Sequence, residues 1–233
     1  MKAIILAGGK GTRLAEYTSK VPKPMVKLNN KPIITYIIDH YIKFGVKEIL
    51  IAGGYKYHLL KKYFLFNKKK YPNVKVLDTG LDSLTGKRIL KLKKNFKKGE
   101  VFFLTYGDGV ADIDLTKLLK HHKKNKKICT LTAVRPIARF GELQIKGNTV
   151  YSFNEKPQLK QGWINGGFFV LNYEIFKFLD KKNQMFEREP IQKLLKIKNV
   201  SSFKHNGFWM CMDSIRDKIL LEKIITKKLQ IEK

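Results

Sequence analysis

The chain has 233 residues, of which 43% are apolar, so it is long enough to bury the core of one large domain. No apolar run reaches the roughly 20 residues that span a bilayer, and the first apolar run is interrupted too early for a signal peptide. The two cysteines, Cys129 and Cys211, are too few for a disulfide framework or a metal site. These features argue against a membrane or disulfide-rich secreted protein, and we expect a cytoplasmic one.

A formal net charge of +29 raises nucleic-acid binding as an alternative. However, only six of the 48 basic residues are arginine, and the lysines are spread over almost every amphipathic segment. Specific recognition surfaces usually cluster arginines and place aromatic side chains among them. We therefore expect no specific nucleic-acid partner, while the positive field would attract phosphorylated substrates.

Short apolar strands alternate with amphipathic helices in the first half of the chain. The pattern predicts strands at residues 3–7, 47–52, 74–77 and 101–106, and helices at 33–41 and 57–66. This alternation predicts an α/β fold with a doubly wound, mostly parallel sheet in a single domain. Right-handed crossovers place the carboxyl ends of such strands, and the loops after them, at one edge where ligands bind.

The second half reads as a mixed arrangement. The sequence predicts strands at residues 128–134 and 168–171, a hairpin of 139–145 with 150–156 around Gly147-Asn148, and helices at 173–179, 190–195 and from 215. Cys129 is expected in the core. Asp112 is expected to cap the helix through Leu115, and Asp213 could cap the last helix.

A glycine-rich loop, Gly8-Gly9-Lys10-Gly11, follows the first strand. Glycines let the backbone take positive φ and bring its N–H groups close to an anion, and Arg13 and Lys23 add mobile positive charge. The G-x-x-x-x-G-K-[ST] spacing is absent, and position 14 is leucine where the dinucleotide fingerprint needs a third glycine. Taken alone, the loop could equally be an ordinary turn.

The longer pattern L-A-G-G-x-G-T-R-L, followed by P-K-P at residues 22–24, resembles the opening of the sugar-1-phosphate nucleotidyltransferases. The resemblance implies a Rossmann-like, GT-A-like nucleotidyltransferase fold. It implies a nucleotide-binding set formed by Leu6, Ala7, Gly8, Gly9, Gly11, Thr12, Arg13, Lys23 and Gly107. Arg13 and the loop amides would contact the β- and γ-phosphates, and Lys23 would lie near the α-phosphate.

Residues 78–88 have the form D-T-G-x-x-S-x-T-G-x-R. As a bare loop, with Thr85 capping the following helix, the segment would need no function. It also resembles the cytidylyltransferase version of the family's base loop, which places Ser83 and Arg88 in base-contact positions. An arginine can donate to cytosine O2 and N3, and a hydroxyl or carbonyl can accept from N4.

Two aspartates match the family's metal ligands. Asp108 lies between glycines at a strand end, in the wording T-Y-G-D-G-V-A-D, and Asp213 lies in a segment that fits G-F-W-x-x-M-D-[ST]-x-R-D-K. A turn or a cap would explain either residue alone. The resemblance implies that both bind Mg²⁺, which takes one or two carboxylates plus phosphate oxygens. Trp209, Met210 and Met212 are expected in the core.

The segments E-K-P and N-G-G resemble the sugar-phosphate side of the family's site. Alone, each would be a strand end or a turn. The resemblance implies that Lys156 meets the sugar phosphate and that Asn165 bonds sugar hydroxyls while Gly166 allows close approach. Glu155 and Gly141 complete this predicted set. The resulting division is a nucleotide-binding half at 1–134, a sugar-phosphate half at 135–213 and a C-terminal helix at 214–233.

The resemblance covers residues 2 to about 218 and implies catalysis by Arg13, Lys23, Asp108 and Asp213. The implied reaction is transfer from CTP to a hexose 1-phosphate, most simply glucose 1-phosphate, giving a CDP-sugar and pyrophosphate. A thymidylyl- or guanylyltransferase of the same fold stays open. The cytidylyltransferases carry a longer segment where this chain has only residues 65–77, which leaves the sugar and a possible homo-oligomer undecided.

Overall fold

The protein is described by a computed structural model that covers residues 1–138, 140–154 and 162–231, with the backbone alone at 228–231. In these residues the strands are β1 (Lys2–Ala7), β2 (Lys27–Leu28), β3 (Lys31–Pro32), β4 (Glu48–Gly53), β5 (Val74–Asp78), β6 (Val101–Tyr106), β7 (Gly109–Ala111), β8 (Cys129–Val134), β9 (Glu142–Lys146), β10 (Thr149–Asn154), β11 (Ile164–Asn172), β12 (Val200–His205) and β13 (Trp209–Cys211). The helices are α1 (Ala15–Thr18), α2 (Ile33–Lys43), α3 (Tyr57–Phe66), α4 (Thr85–Lys91), α5 (Leu115–Asn125), α6 (Glu189–Lys196) and α7 (Ile215–Ile231).

The central sheet has seven strands in the order β12-β8-β11-β6-β1-β4-β5. Strand β11 runs antiparallel to both of its neighbours, and the other pairings in this sheet are parallel. The predicted mostly parallel, mixed sheet is therefore confirmed. The chain leaves β1 for β4 and β5 and then returns to β6 on the other side of β1, so the sheet reverses its order between β1 and β6. Ligands of open α/β sheets bind at such a switch point.

Both faces of this sheet are buried, which explains why β1 is a continuous apolar run. Ala3 and Ile5 face one core with residues of α2, α3 and α5, whereas Ile4 and Leu6 face a second core with residues of α4 and α6. Cys129 belongs to the second core and is fully buried, as predicted. Burial raises the pKa of its thiol to about 12, so the thiol stays neutral.

Two helix caps differ from the sequence-based expectation. Asp114, and not Asp112, caps α5, because its Oδ1 accepts from the Lys117 amide at 2.8 Å. At α7 the cap is Ser214, whose Oγ accepts from the Asp217 amide at 3.2 Å while the Asp217 carboxylate accepts from the Ser214 amide at 2.9 Å. This reciprocal capping box leaves the carboxylate of Asp213 available for other contacts.

The second half agrees with expectation only in part. The predicted hairpin around Gly147-Asn148 forms between β9 and β10, with Gly147 in the left-handed region at φ 58°. The predicted helix at 173–179 is a 3₁₀ helix over Tyr173–Lys177, and β7 and β12 were not predicted. Within the described residues, no helix has the length and apolar character needed to cross a bilayer.

Candidate active site

A cleft of about 520 Å³ opens at the carboxyl edge of the sheet, where β1 and β6 end. The predicted site residues that line it are Leu6, Ala7, Gly8, Gly9, Gly11, Arg13, Lys23, Ser83, Arg88, Gly107, Asp108, Asn165, Gly166 and Asp213. Thr12 and Gly141 are not among its lining residues. Glu155 and Lys156 lie outside the described residues.

The glycines of the first loop serve different purposes. Gly11 alone among Gly8, Gly9 and Gly11 has positive φ, at +65°, and a Cβ there would lie 2.9 Å from Cβ of Lys23. Gly8 makes room for Arg88, because a Cβ on Gly8 would lie 2.1 Å from the guanidinium carbon. Of these three glycines, only Gly11 therefore uses the positive φ that glycine allows, and Gly8 and Gly11 both permit close packing against a basic side chain.

A short two-stranded ladder brings the chain-distant aspartates together. Strands β7 and β13 pair antiparallel, with Cys211 opposite Gly109, and the Met212 amide donates to the Asp108 carbonyl at 2.9 Å. Asp108 precedes β7 and Asp213 follows β13, so both carboxylates lie at the same end of the ladder. Since β7 has only three residues, it gives little sequence signal.

Lys23 bridges these two carboxylates. Its Nζ lies 2.6 Å from Oδ2 of Asp108 and 2.6 Å from Oδ1 of Asp213. Arg13 adds a third contact, from NH1 to Oδ2 of Asp213 at 2.8 Å. We call Arg13, Lys23, Asp108 and Asp213 the charged end of the cleft.

The charges at this end stabilise one another. Burial lowers the pKa of Lys23, but attraction and hydrogen bonds from Asp108 and Asp213 outweigh this and raise the pKa above its ordinary value. Burial likewise raises the pKa of Asp213, and the contacts with Lys23 and Arg13 reverse this and hold the pKa below its ordinary value. Both groups are therefore charged at neutral pH. The side chain of Arg13 is 71% exposed, so its ion pair contributes little stability and the guanidinium is free to turn toward an anion.

Arg88 organises the opposite end of the cleft. Its residue is only 4% exposed, and its two terminal nitrogens donate to oxygens of neighbouring loops. The acceptors are Gly8 O, Gly53 O, Thr79 Oγ1, Gly80 O and Leu81 O, at 2.7–3.1 Å. Protein oxygens therefore take both terminal nitrogens of Arg88, and a direct contact with a base would have to replace some of these partners.

We call Thr79, Ser83, Arg88 and Lys91 the Arg88 end of the cleft. Ser83 and Arg88 line the cleft, and Thr79 and Lys91 support them. Ser83 Oγ donates to the Thr79 carbonyl at 2.5 Å, and Lys91 Nζ donates to the same carbonyl at 2.7 Å. Lys91 also reaches Ser83 Oγ at 3.2 Å. These bonds fix the loop after β5 against α4, so its backbone presents a defined surface to the cleft.

Tyr106 and Glu187 link the Arg88 end to Asn165 and Gly166, which we call the far wall of the cleft. The Tyr106 hydroxyl donates to Oε1 of Glu187 at 2.7 Å, and Thr85 Oγ1 donates to Oε2 at 2.6 Å. Asn165 Nδ2 donates to the Tyr106 hydroxyl at 3.3 Å. Burial and the nearby Glu187 carboxylate raise the pKa of Tyr106, so its phenol stays protonated. The hydroxyl of Thr85 therefore does not cap α4. The role of Tyr106 was not predicted, because a tyrosine at the end of a buried strand is usually interpreted as a core residue.

Trp209 and Cys211 also line the cleft. Trp209 was expected in the core; it is partly buried against the first core, and its indole Nε1 also donates to the Gly166 carbonyl at 2.7 Å. Met210 and Met212 are buried, as predicted. Burial, with the charges of Asp213 and Asp108, raises the pKa of Cys211 to about 12, so its thiol is not a nucleophile near neutral pH.

Comparison with known proteins gives one consistent family. The family described as Nucleotidyl transferase matches residues 2–217. The chain belongs to this family. It is therefore a nucleotidyltransferase, and the resemblance inferred from the first loop is confirmed.

Two relatives extend over nearly the whole chain. Glucose-1-phosphate cytidylyltransferase of Salmonella typhimurium is 41% identical, over 97% of this chain and 96% of its own. Probable glucose-1-phosphate cytidylyltransferase of Bacillus subtilis is 36% identical, over 100% and 99%. Both alignments, of 248 and 254 positions, exceed the 233 residues of this chain, so each relative has residues that this nucleotidyltransferase lacks.

A solved structure shows the same fold. HddC from Yersinia pseudotuberculosis, complexed with GMP-PN, superposes with a TM-score of 0.76 over 96% of this chain and 99% of that chain, at 22% identity. The Rossmann-like nucleotidyltransferase fold expected from the sequence is confirmed.

Proposed function

We propose that the protein catalyses Mg²⁺-dependent cytidylyl transfer from CTP to α-D-glucose 1-phosphate, giving CDP-glucose and pyrophosphate. The observation that carries this proposal is the contact of Asp108 and Asp213 with one lysine beside the glycine loop. The choice of nucleotide and sugar is supported by the cytidylyltransferase relatives, which match this chain from end to end.

In this proposal the two substrates lie at different parts of the cleft. The triphosphate lies over the Gly8–Gly11 loop, with Arg13 on its outer phosphates and Lys23 near the α-phosphate. The base lies against the loop after β5, near Ser83 and Arg88. The glucose 1-phosphate lies against Asn165 and Gly166 on the far wall, and Gly141, Glu155 and Lys156 are proposed to complete that site.

The chemistry is a single in-line displacement. An oxygen of the sugar phosphate forms a bond to the α-phosphorus of CTP, and the bond from that phosphorus to the bridging oxygen of pyrophosphate breaks. The attacking oxygen is already an anion, so no general base is needed. The obstacle is repulsion, since two unit charges of like sign about 4 Å apart repel by about 4 kcal/mol at an effective dielectric of 20. Arg13 and Lys23 lower that cost by facing the phosphates.

The charged end fits a magnesium ion. One oxygen of each carboxylate contacts the same ammonium, so a single cation can contact both. Within the described part of the chain, no three His, Cys, Asp or Glu side chains form a metal cluster, and two carboxylates plus phosphate oxygens are a donor set that Mg²⁺ accepts. Held by Asp108 and Asp213, the ion would supply charge neutralisation at the α-phosphate.

The test is a panel of the four nucleoside triphosphates against several sugar 1-phosphates, read as pyrophosphate release with and without EDTA. We expect the highest kcat/KM for CTP with glucose 1-phosphate, no release in EDTA, and CDP-glucose as the second product. Preference for TTP or GTP would favour a thymidylyl- or guanylyltransferase. Absence of pyrophosphate release from every pair would contradict the proposal.

A further inference from the structure

The ammonium of Lys23 sits where it satisfies two acidic residues at once. Its distances to Oδ2 of Asp108 and Oδ1 of Asp213 are both 2.6 Å, which is at the short end for charge-assisted hydrogen bonds between nitrogen and oxygen. The lysine side chain is 13% exposed, and the two carboxylates are 26% and 22% exposed. Solvent therefore screens this contact less than it screens a surface ion pair.

These carboxylate oxygens are also the ones that our proposed function gives to the metal ion. The Lys23 ammonium and a metal ion cannot both occupy the lone pairs of these oxygens that now face Lys23. Two cations held by the same two carboxylates would also repel each other. We infer that Lys23 competes with the metal ion for Asp108 and Asp213, so that the ion binds well only when a nucleotide draws Lys23 away. This inference rests on the proposed function.

The charge balance favours joint entry of metal and nucleotide. Arg13, Lys23, Asp108 and Asp213 carry two positive and two negative charges, so the cluster is neutral as a group. A divalent ion alone would add positive charge beside two cations. A triphosphate alone would add negative charge beside two carboxylates. Together they supply a partner for each group, with the ion on the carboxylates and the basic side chains on the phosphates.

The backbone around the aspartates indicates which partner moves. The Asp108 carbonyl is held by the Met212 amide, and the Asp213 amide donates to the Asp217 carboxylate at 3.1 Å. By contrast, the Lys23 ammonium ends a flexible four-carbon chain. The backbone that carries the two short carboxylate side chains is therefore held in place, and the long lysine side chain is the group with the reach to exchange partners.

The test measures Mn²⁺ binding without nucleotide or sugar, by the loss of the EPR signal of free Mn²⁺ at fixed ionic strength. We expect Lys23→Met to bind Mn²⁺ roughly tenfold or more tightly than the wild type, because a neighbouring like charge has been removed. Adding Asp213→Asn to Lys23→Met should abolish that gain. Lys10→Met is the matched control, since Lys10 lies in the glycine loop and its ion pair is a 3.9 Å contact with Asp82.

Two outcomes would overturn the inference. One is equal Mn²⁺ affinity of the wild type and Lys23→Met, and the other is an equal gain in Lys10→Met, which would indicate a general charge effect. Thermal unfolding with and without Mn²⁺ gives a second readout, in which Mn²⁺ should raise the Tm of Lys23→Met more than that of the wild type. Because no nucleotide is present, failure here leaves the turnover test of the proposed function untouched.

Discussion

The two ends of the cleft hold their polar side chains in opposite ways. At the charged end, Arg13 and Lys23 bond to the carboxylates of Asp108 and Asp213, so side chain meets side chain. At the Arg88 end, four of the five acceptors of Arg88 are backbone carbonyls. The first arrangement can exchange its partners for ligand charges, whereas the second fixes the shape of the loops. We therefore expect substitutions at the charged end to affect catalysis and those at the Arg88 end to affect stability and nucleotide affinity.

The largest effect is expected for Asp108→Asn. It removes one charge from the pair proposed to hold Mg²⁺, and we expect kcat to fall roughly 10²–10³-fold, as for loss of one group that stabilises charge in the transition state. Circular dichroism and the Tm should stay close to those of the wild type. Asp82→Asn, an exposed aspartate outside the cleft lining, serves as control and should keep its activity. A near-normal kcat for Asp108→Asn would mean that the charged end, like the Arg88 end, contributes to substrate binding and not to catalysis.

The next effect is expected for Arg88→Lys. A lysine cannot reach five acceptors with a planar fork, and burial already lowers the pKa of Arg88, so we expect a loss of about 1.5–3 kcal/mol in the free energy of unfolding. Urea denaturation measures this loss. The KM values of the four nucleotides should rise by similar factors, because the loops move as a unit. A selective rise for CTP would show that Arg88 reads the base directly.

Gly8→Ala tests the same loops from the other side. The new Cβ would collide with the Arg88 guanidinium, and overpacking of this kind costs about 1–3 kcal/mol of unfolding free energy. Gly9→Ala is the matched control, because a Cβ on Gly9 would meet no atom within 4 Å and the φ of Gly9 is not positive. Equal stability of the two variants would show that Arg88 yields easily.

The smallest effect is expected for Tyr106→Phe, which lies between the two ends. The change removes the hydroxyl bonds to Glu187 and Asn165, and we expect roughly a three- to tenfold rise in KM for the sugar phosphate with little change in KM for CTP. Tyr55→Phe, which loses a bond to the Thr18 carbonyl away from the cleft lining, should leave both KM values unchanged. A rise in KM for CTP alone would assign Tyr106 to the nucleotide side.

The sequence predicts the helices and strands of this molecule better than the contacts between residues that are distant in the chain. Residues 57–66 and 101–106 are predicted with the bounds that the structure has, because the first carries an amphipathic helical pattern and the second is a short continuous apolar run. The pairing of β7 with β13 is invisible in the sequence, since three residues have no period, yet it is this pairing that places Asp108 beside Asp213.

Buried polar partners were the harder part to foresee. In the sequence, Arg88 is a basic residue at the end of a loop pattern. The same pattern would fit an arginine that is exposed at the surface. Its burial depends on the carbonyls of Gly8 and Gly53, which lie 80 and 35 positions away. The carboxylate of Glu187 likewise joins Thr85 to Tyr106, which lie 102 and 81 positions away in the chain.

The most direct test is the turnover of Asp213→Asn with each of the four nucleoside triphosphates and glucose 1-phosphate. We expect a folded Asp213→Asn to lose roughly 10²–10³ in kcat with every nucleotide that the wild type uses and to keep the same order of nucleotide preference. Near-normal turnover with CTP would contradict a catalytic role for the charged end. A changed preference among nucleotides would contradict the assignment of nucleotide recognition to the Arg88 end.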